Sequence, residues 1–83
     1  MYFVYILRSE VDQEQFYYGM TKNLKTRFQS HNSGQVKHTS KYKPWKVLWF
    51  GCFESSKKAS DFERYLKTAS GKAFLRKRLI KLS

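Results

Sequence analysis

Arg27 and His31 stand four residues apart in the stretch "FYYGMTKNLKTRFQSHN", and on a helix that spacing puts both side chains on one face. A guanidinium just inside a helix start can hold a phosphate through two parallel N–H bonds, although a solvent-exposed helix arginine is the ordinary use of any single one. The histidine can move a proton near neutral pH or help finish the helix near its negative end. Tyr5 and Tyr17 lie in apolar runs, where core packing alone would account for both. Carboxylates are few: Glu10, Asp12, Glu14, Glu54, Asp61 and Glu63. Two-metal phosphodiester chemistry needs a cluster of them, which this chain does not readily supply, so one metal or arginine and lysine electrostatics would have to suffice. Glu63 is the acid to single out. At about 100° per residue it falls on the shoulder of a helical apolar stripe, next to Ala59 and Leu66, where a carboxylate is partly buried. The plainer use is a surface pair with Lys67 at i+4, worth about 0.3–0.5 kcal/mol.

The elements that must position these groups can be read from pattern. Residues 2–7, "YFVYIL", are a continuous apolar run suited to a central strand, and 16–21, "FYYGMT", to a second, with a polar hairpin tip between. Asn23 is placed to cap a helix over about 24–33, which Gly34 can close in the left-handed conformation. Residues 35–44, "QVKHTSKYKP", read as a basic loop, and "WKVLWFGCF" (45–53) as a third strand with Trp45, Val47, Trp49 and Phe53 on one face. Ser55 or Ser56 then caps a helix carrying Ala59, Phe62, Leu66 and Ala69 as its stripe. Gly71 breaks it, and a basic helix over 72–82 buries Leu75, Leu79 and Leu82. The order ββαβαα, a three-stranded antiparallel sheet flanked by helices, is an α+β layer arrangement, and 83 residues leave room for one domain over 1–83.

Charge narrows the partner. The net charge is +11, and it is lopsided: four basic residues face three acidic ones up to residue 34, thirteen face three beyond it. Such a field favours nucleic acid first and an anionic membrane second. The lone Cys52 excludes an internal disulfide and a cysteine-rich zinc site, and its apolar setting suggests a small core residue. No run has the length of a membrane span, and residues 2–7 are too short for a signal sequence. A soluble cytoplasmic protein is expected, with its oligomeric state open and a monomer the simplest case.

In this order the motifs resemble the GIY-YIG nuclease family, over nearly the whole chain and most closely its small stand-alone single-domain bacterial members, relatives of the incision domain of nucleotide excision repair. "FVYIL" stands at the first signature tripeptide with Tyr5, "YYG" at the second with Tyr17, and "ASDFERYLK" at the acidic helix motif with Glu63. The resemblance implies that Tyr5 and Tyr17 share a site and position or deprotonate the attacking water, Tyr17 being the better candidate for the base. A free phenol titrates near pH 10 and needs a nearby cation to act near neutrality. Arg27 would neutralise charge on the phosphorane. Glu63 would ligate one divalent metal, Mg²⁺ or alternatively Mn²⁺, and His31 would transfer a proton or touch substrate.

The chain departs from the family pattern at several points. The tripeptides read "FVY" and "YYG", Met20 replaces a lysine found after the second in the excision-repair branch, and a distal asparagine has no match in "GKAFLRKR". Two functions follow from the resemblance. One is a metal-dependent endonuclease hydrolysing phosphodiester bonds of DNA, preferred over RNA, with structure read in preference to sequence. Its phosphate contacts would come from Lys37, Lys41, Lys43 and Lys46, from Lys67, and from Lys72, Arg76, Lys77, Arg78 and Lys81. The other is a non-catalytic basic module that keeps the fold and binds nucleic acid. A basic protein-binding adaptor ranks third, because its association with DNA would be insensitive to salt.

Overall fold

In the computed structural model, which describes residues 1–79, strand β1 (Tyr2–Ser9) is the centre of a three-stranded antiparallel sheet. It lies between β2 (Phe16–Thr21) and β3 (Trp45–Phe53), in the order β2-β1-β3. Helices cover both faces, so β1 has no polar side: Val4, Ile6, Tyr5 and Leu7 are all at most 1% exposed. Alternation sends the first two to one face and the last two to the other. Val4 and Ile6 pack with Ala59, Leu66 and Leu75 under helices α3 (Ser56–Leu66) and α4 (Ala69–Phe74), the latter running on into a π-helical turn, Leu75–Leu79. Tyr5 and Leu7 pack with Trp45, Leu24 and Phe28 under α1 (Leu24–Ser33).

The α+β arrangement is the one the sequence implies, with one added helix. Residues 37–40, read above as loop, form the short α2 (Lys37–Ser40), because the Val36 carbonyl accepts the N–H groups of both Thr39 and Ser40. Helix α1 has the expected bounds and caps: Asn23 accepts from the Thr26 N–H at 3.0 Å, and Gly34 follows at φ 84°. Ser55 caps α3 by accepting from the Lys58 N–H.

Three packing expectations are overturned. Trp45, Val47, Trp49 and Phe53 do not share a face, because a bulge opposite Ile6/Leu7 inserts Leu48: Ile6 pairs with Trp49, but Leu7 pairs with Val47. One extra residue exchanges the faces, so Trp45 and Val47 join Tyr5 while Trp49 and Phe53 pack on Phe62. The same shift puts Cys52 on the face of Phe50, where both are exposed. Finally, α3 stops at Leu66 and Ala69 is exposed. Thr68 caps α4 by accepting the Gly71 N–H at 3.0 Å, and Gly71 lies buried inside that helix. A Cβ there would fall 1.8 Å from the Tyr65 carbonyl oxygen, so Gly71 permits the corner between α3 and α4 and does not break a helix. Leu75 is buried and Leu79 half-buried, as expected; Lys81 and Leu82 lie outside the described residues. Among the described residues, no helix is long and apolar enough to cross a membrane.

Candidate functional site

The face of the sheet beneath α1 carries side chains that a purely apolar core would not choose. Antiparallel register sets Tyr5 opposite Gly19 and Leu7 opposite Tyr17, so the two phenols come from adjacent strands on one face, their ring centres 6.1 Å apart. Gly19 makes room for them. A Cβ at that position would lie 2.5 Å from the Tyr5 ring and hydroxyl and 2.9 Å from the Tyr17 ring, distances that real side chains do not tolerate.

Helix α1 brings Arg27 and His31 over these rings. His31 is fully buried, with its ring centre 4.6 Å from that of Tyr17 and 5.8 Å from that of Tyr5. Its Nε2 lies 2.9 Å from the Tyr5 hydroxyl and its Nδ1 lies 2.8 Å from Thr39 Oγ1. Thr39 Oγ1 donates to the Val36 carbonyl at 3.2 Å, so toward His31 it can only accept, and the ring proton sits on Nδ1. The bare Nε2 then accepts from the Tyr5 hydroxyl, which the Arg27 side chain also borders.

These contacts decide charge states. Burial first, and the Arg27 charge second, hold His31 down at about 4, so it is neutral at physiological pH. In that state its Nε2 accepts from the Tyr5 hydroxyl. Burial likewise raises the Tyr5 phenol, against the lowering effect of Arg27. Arg27, in turn, is raised above its ordinary value by its contacts with Tyr5 and then Tyr17. No carboxylate neutralises it among the described residues, which leaves a permanent cation facing two phenols.

Glu63 stands apart from this hydrogen-bonded cluster. Its side chain is only 15% exposed, and Oε1 pairs with Lys67 Nζ at 2.6 Å, so the expected partial burial and the i+4 pair occur together. Its charge still reaches Tyr5, where it is the smallest of five influences on the phenol. Among the described residues no three His, Cys, Asp or Glu side chains gather as a preformed metal cage. One carboxylate with a single oxygen in an ion pair does fit an ion that retains waters and takes phosphate oxygens from its substrate, as Mg²⁺ does.

The basic residues do not form one patch. Lys37, Lys41 and Lys43 are exposed around α2, on the side of the phenols. Lys72, Arg76, Lys77 and Arg78 are exposed on α4 and its π-helical turn, on the other side. Lys46 pairs in register with Arg8 and so shares that second side, away from the loop lysines it follows in sequence. Lys67 is engaged by Glu63.

Sequence reasoning missed Thr39 and Asn32. Asn32 ties the end of α1 to β3, donating to the Trp45 carbonyl at 3.0 Å and accepting the Trp45 N–H, while the Trp45 indole donates to the Thr39 carbonyl at 2.8 Å. For Thr39 the available signal is the run of small polar residues in "HTS", in a segment with no helical period.

Residues 1–78 match the GIY-YIG catalytic domain. A UPF0213 protein of Clostridium perfringens (strain 13 / Type A) is 38% identical over 68 residues, covering 81% of this chain and 71% of that protein. No solved structure matches.

Proposed function

The chain belongs to the GIY-YIG family, which carries a nuclease-type function and a nucleic-acid partner, and from that premise we propose a metal-dependent endonuclease that hydrolyses phosphodiester bonds of DNA, selecting structure over sequence. The observation that carries this reading is the un-neutralised Arg27 held against the phenols of Tyr5 and Tyr17. Charge accumulates on the phosphoryl oxygens in the transition state, and a preorganised guanidinium at that point is among the most effective stabilisers available.

The two tyrosines take different parts. Tyr5 is buried and its hydroxyl is committed to His31 Nε2, so it remains a neutral, oriented wall of the site. Tyr17 is half-buried and is the phenol that meets the attacking water, with Arg27 as the cation that a phenol base requires. Glu63 would hold one Mg²⁺, or Mn²⁺ in its place, with water and phosphate oxygens completing the ion's coordination. When bound, that ion supplies Lewis-acid stabilisation of phosphate oxygens. The lysines around α2 hold the substrate backbone without reading its sequence. The working unit is a single domain over residues 1–83, acting in the cytoplasm.

The ion pair between Glu63 and Lys67 favours a second reading, a module that binds without cutting. A plasmid-nicking assay, extended to flap, bubble and single-stranded DNA, separates the two. Wild type and Glu63→Ala are compared with Mg²⁺, Mn²⁺ or EDTA. Cutting by wild type alone, abolished by EDTA, is the expected result. Salt-dependent binding by both proteins with cutting by neither would establish the binding module instead.

A further inference from the structure

Around the edge strand β2, on the face opposite Tyr17, lies a groove that none of the residues discussed above explains. Two adjoining hollows of about 190 and 380 Å³ share Glu14, Phe16 and Arg76. Arg8 closes one side, and Lys72 with Tyr18 the other. The sequence fixes this meeting. Arg8 pairs in register with Phe16, its guanidinium lies 5.4 Å from the ring centre, and its Nε donates to the Gln13 carbonyl at 2.8 Å. Arg8 is thus held in place before any ligand arrives. Arg76 approaches from the π-helical turn, and its charge partly offsets the rise that burial gives the Tyr18 phenol.

Three cations face one carboxylate here, and none of Arg8, Lys72 and Arg76 forms a salt bridge among the described residues. The floor is aromatic. Duplex phosphates are met by exposed lysines and need no aromatic floor, whereas an unpaired nucleotide offers both an anion and a stacking face. The larger hollow falls within the range of sites for small ligands, roughly 300–1,000 Å³. Phe16 and Tyr17 are consecutive on an edge strand and point to opposite faces, so a nucleic-acid strand leaving the groove needs only to turn around that edge to reach the catalytic phenol.

We propose that this groove holds an unpaired nucleotide of the substrate strand, its phosphate between Arg8 and Arg76 and its base against Phe16, so that the enzyme acts where a strand is unpaired beside the scissile bond. The proposal rests on the nuclease reading and names the structure that reading selects. Lys46, next to Arg8 across the sheet, continues the cationic row toward the flanking backbone.

The test is binding in EDTA, which removes cleavage from the measurement. Anisotropy of a labelled single strand and of a duplex of equal length is followed across a salt series for wild type, Arg8→Gln/Arg76→Gln, Phe16→Leu and Lys58→Gln, an exposed lysine on α3. The double variant is expected to lose about tenfold in single-strand affinity, with the salt slope reduced by about 0.7, the value for one phosphate contact on a single strand. Phe16→Leu should lose about fivefold through stacking. Duplex binding should change by less than about twofold in both, as should either substrate with Lys58→Gln. Photocrosslinking of a 5-iodouracil-substituted single strand should mark Phe16 or Tyr18. Equal losses on single strand and duplex, unchanged binding by the groove variants, or crosslinks confined to the α2 side would overturn the groove while leaving the nuclease reading intact. Absence of salt-dependent binding by wild type to either substrate would overturn both.

Discussion

The two faces of one strand are built on different principles. Under α3 and α4, Val4 and Ile6 meet Ala59, Leu66, Leu75 and a ring of aromatic side chains. Under α1 and α2, Tyr5 and Leu7 share their face with every buried polar side chain among the described residues: Ser9, His31 and Thr39. Each of these is fully bonded. Ser9 Oγ donates to the Tyr42 carbonyl at 2.6 Å while accepting the Val11 and Asp12 N–H groups. Burying polar groups gains little net stability even when they are satisfied and is costly when they are not. A domain this small has little stability to spare, so the polar face is best understood as held for chemistry and the apolar face as what makes it tolerable.

The sharpest way to test that division is a reciprocal pair of truncations. Arg27→Ala should lower phosphodiester cleavage by about 10³-fold, the scale of losing a guanidinium that stabilises transferred phosphoryl charge, with urea unfolding unchanged within about 0.5 kcal/mol. Leu66→Ala should do the reverse. A fully buried leucine removed from beneath α3 costs about 2–5 kcal/mol, while turnover per folded molecule stays at the wild-type level. If Arg27→Ala unfolds the protein, or Leu66→Ala abolishes turnover in the folded fraction, the two faces are not separable.

The next effect is a pH dependence written into the polar face. His31 sits at about 4 when folded, against 6.5 for a free imidazole, and the charge facing it is Arg27. Below 6.5 the unfolded chain takes up a proton that the folded chain refuses until about 4. Stability is therefore full above that window, falls as pH drops through it and levels off beneath it. Between pH 7 and pH 5 the loss should be about 2 kcal/mol. Equilibrium unfolding at the two pH values measures it, and His31→Gln, which cannot titrate, should flatten the difference. An equally steep decline in that variant would place the effect elsewhere.

The two faces also differed in how far the sequence revealed them. The apolar run at 2–7, the caps at Asn23 and Ser55 and the signature tyrosines were readable because each depends on local pattern or on a fixed motif. The bulge at Leu48 was not, since it requires knowing which residue of β1 each β3 residue meets, and the fate of Cys52 went with it. Gly71 was misjudged for the same reason: its role is set by the Tyr65 carbonyl, which only the docking of α4 brings near. In the site, the Arg27–His31 face and the partial burial of Glu63 followed from helical spacing. The neutrality of His31 did not, because it depends on burial beneath a helix and on a threonine in a segment that had no visible period.

That threonine allows the smallest and most specific test. Thr39→Val keeps the shape of the side chain and removes the oxygen that accepts from His31 Nδ1. On the apolar face, exchanging a hydroxyl for a methyl at a buried position would be neutral or favourable. Here it leaves a buried N–H unpartnered, at a cost of about 1–3 kcal/mol, or drives the ring proton to Nε2, where it would confront the Tyr5 hydroxyl. In the second case the phenol also loses its fixed acceptor. Nitrogen NMR of His31 distinguishes the outcomes, because the protonated and bare ring nitrogens resonate far apart: wild type and Thr39→Ser should carry the proton on Nδ1, and Thr39→Val should lose that state or lose stability. A Thr39→Val protein with both its stability and its Nδ1 proton intact would show that Arg27 and Tyr5 alone orient the imidazole, and that the polar face needs no support from α2.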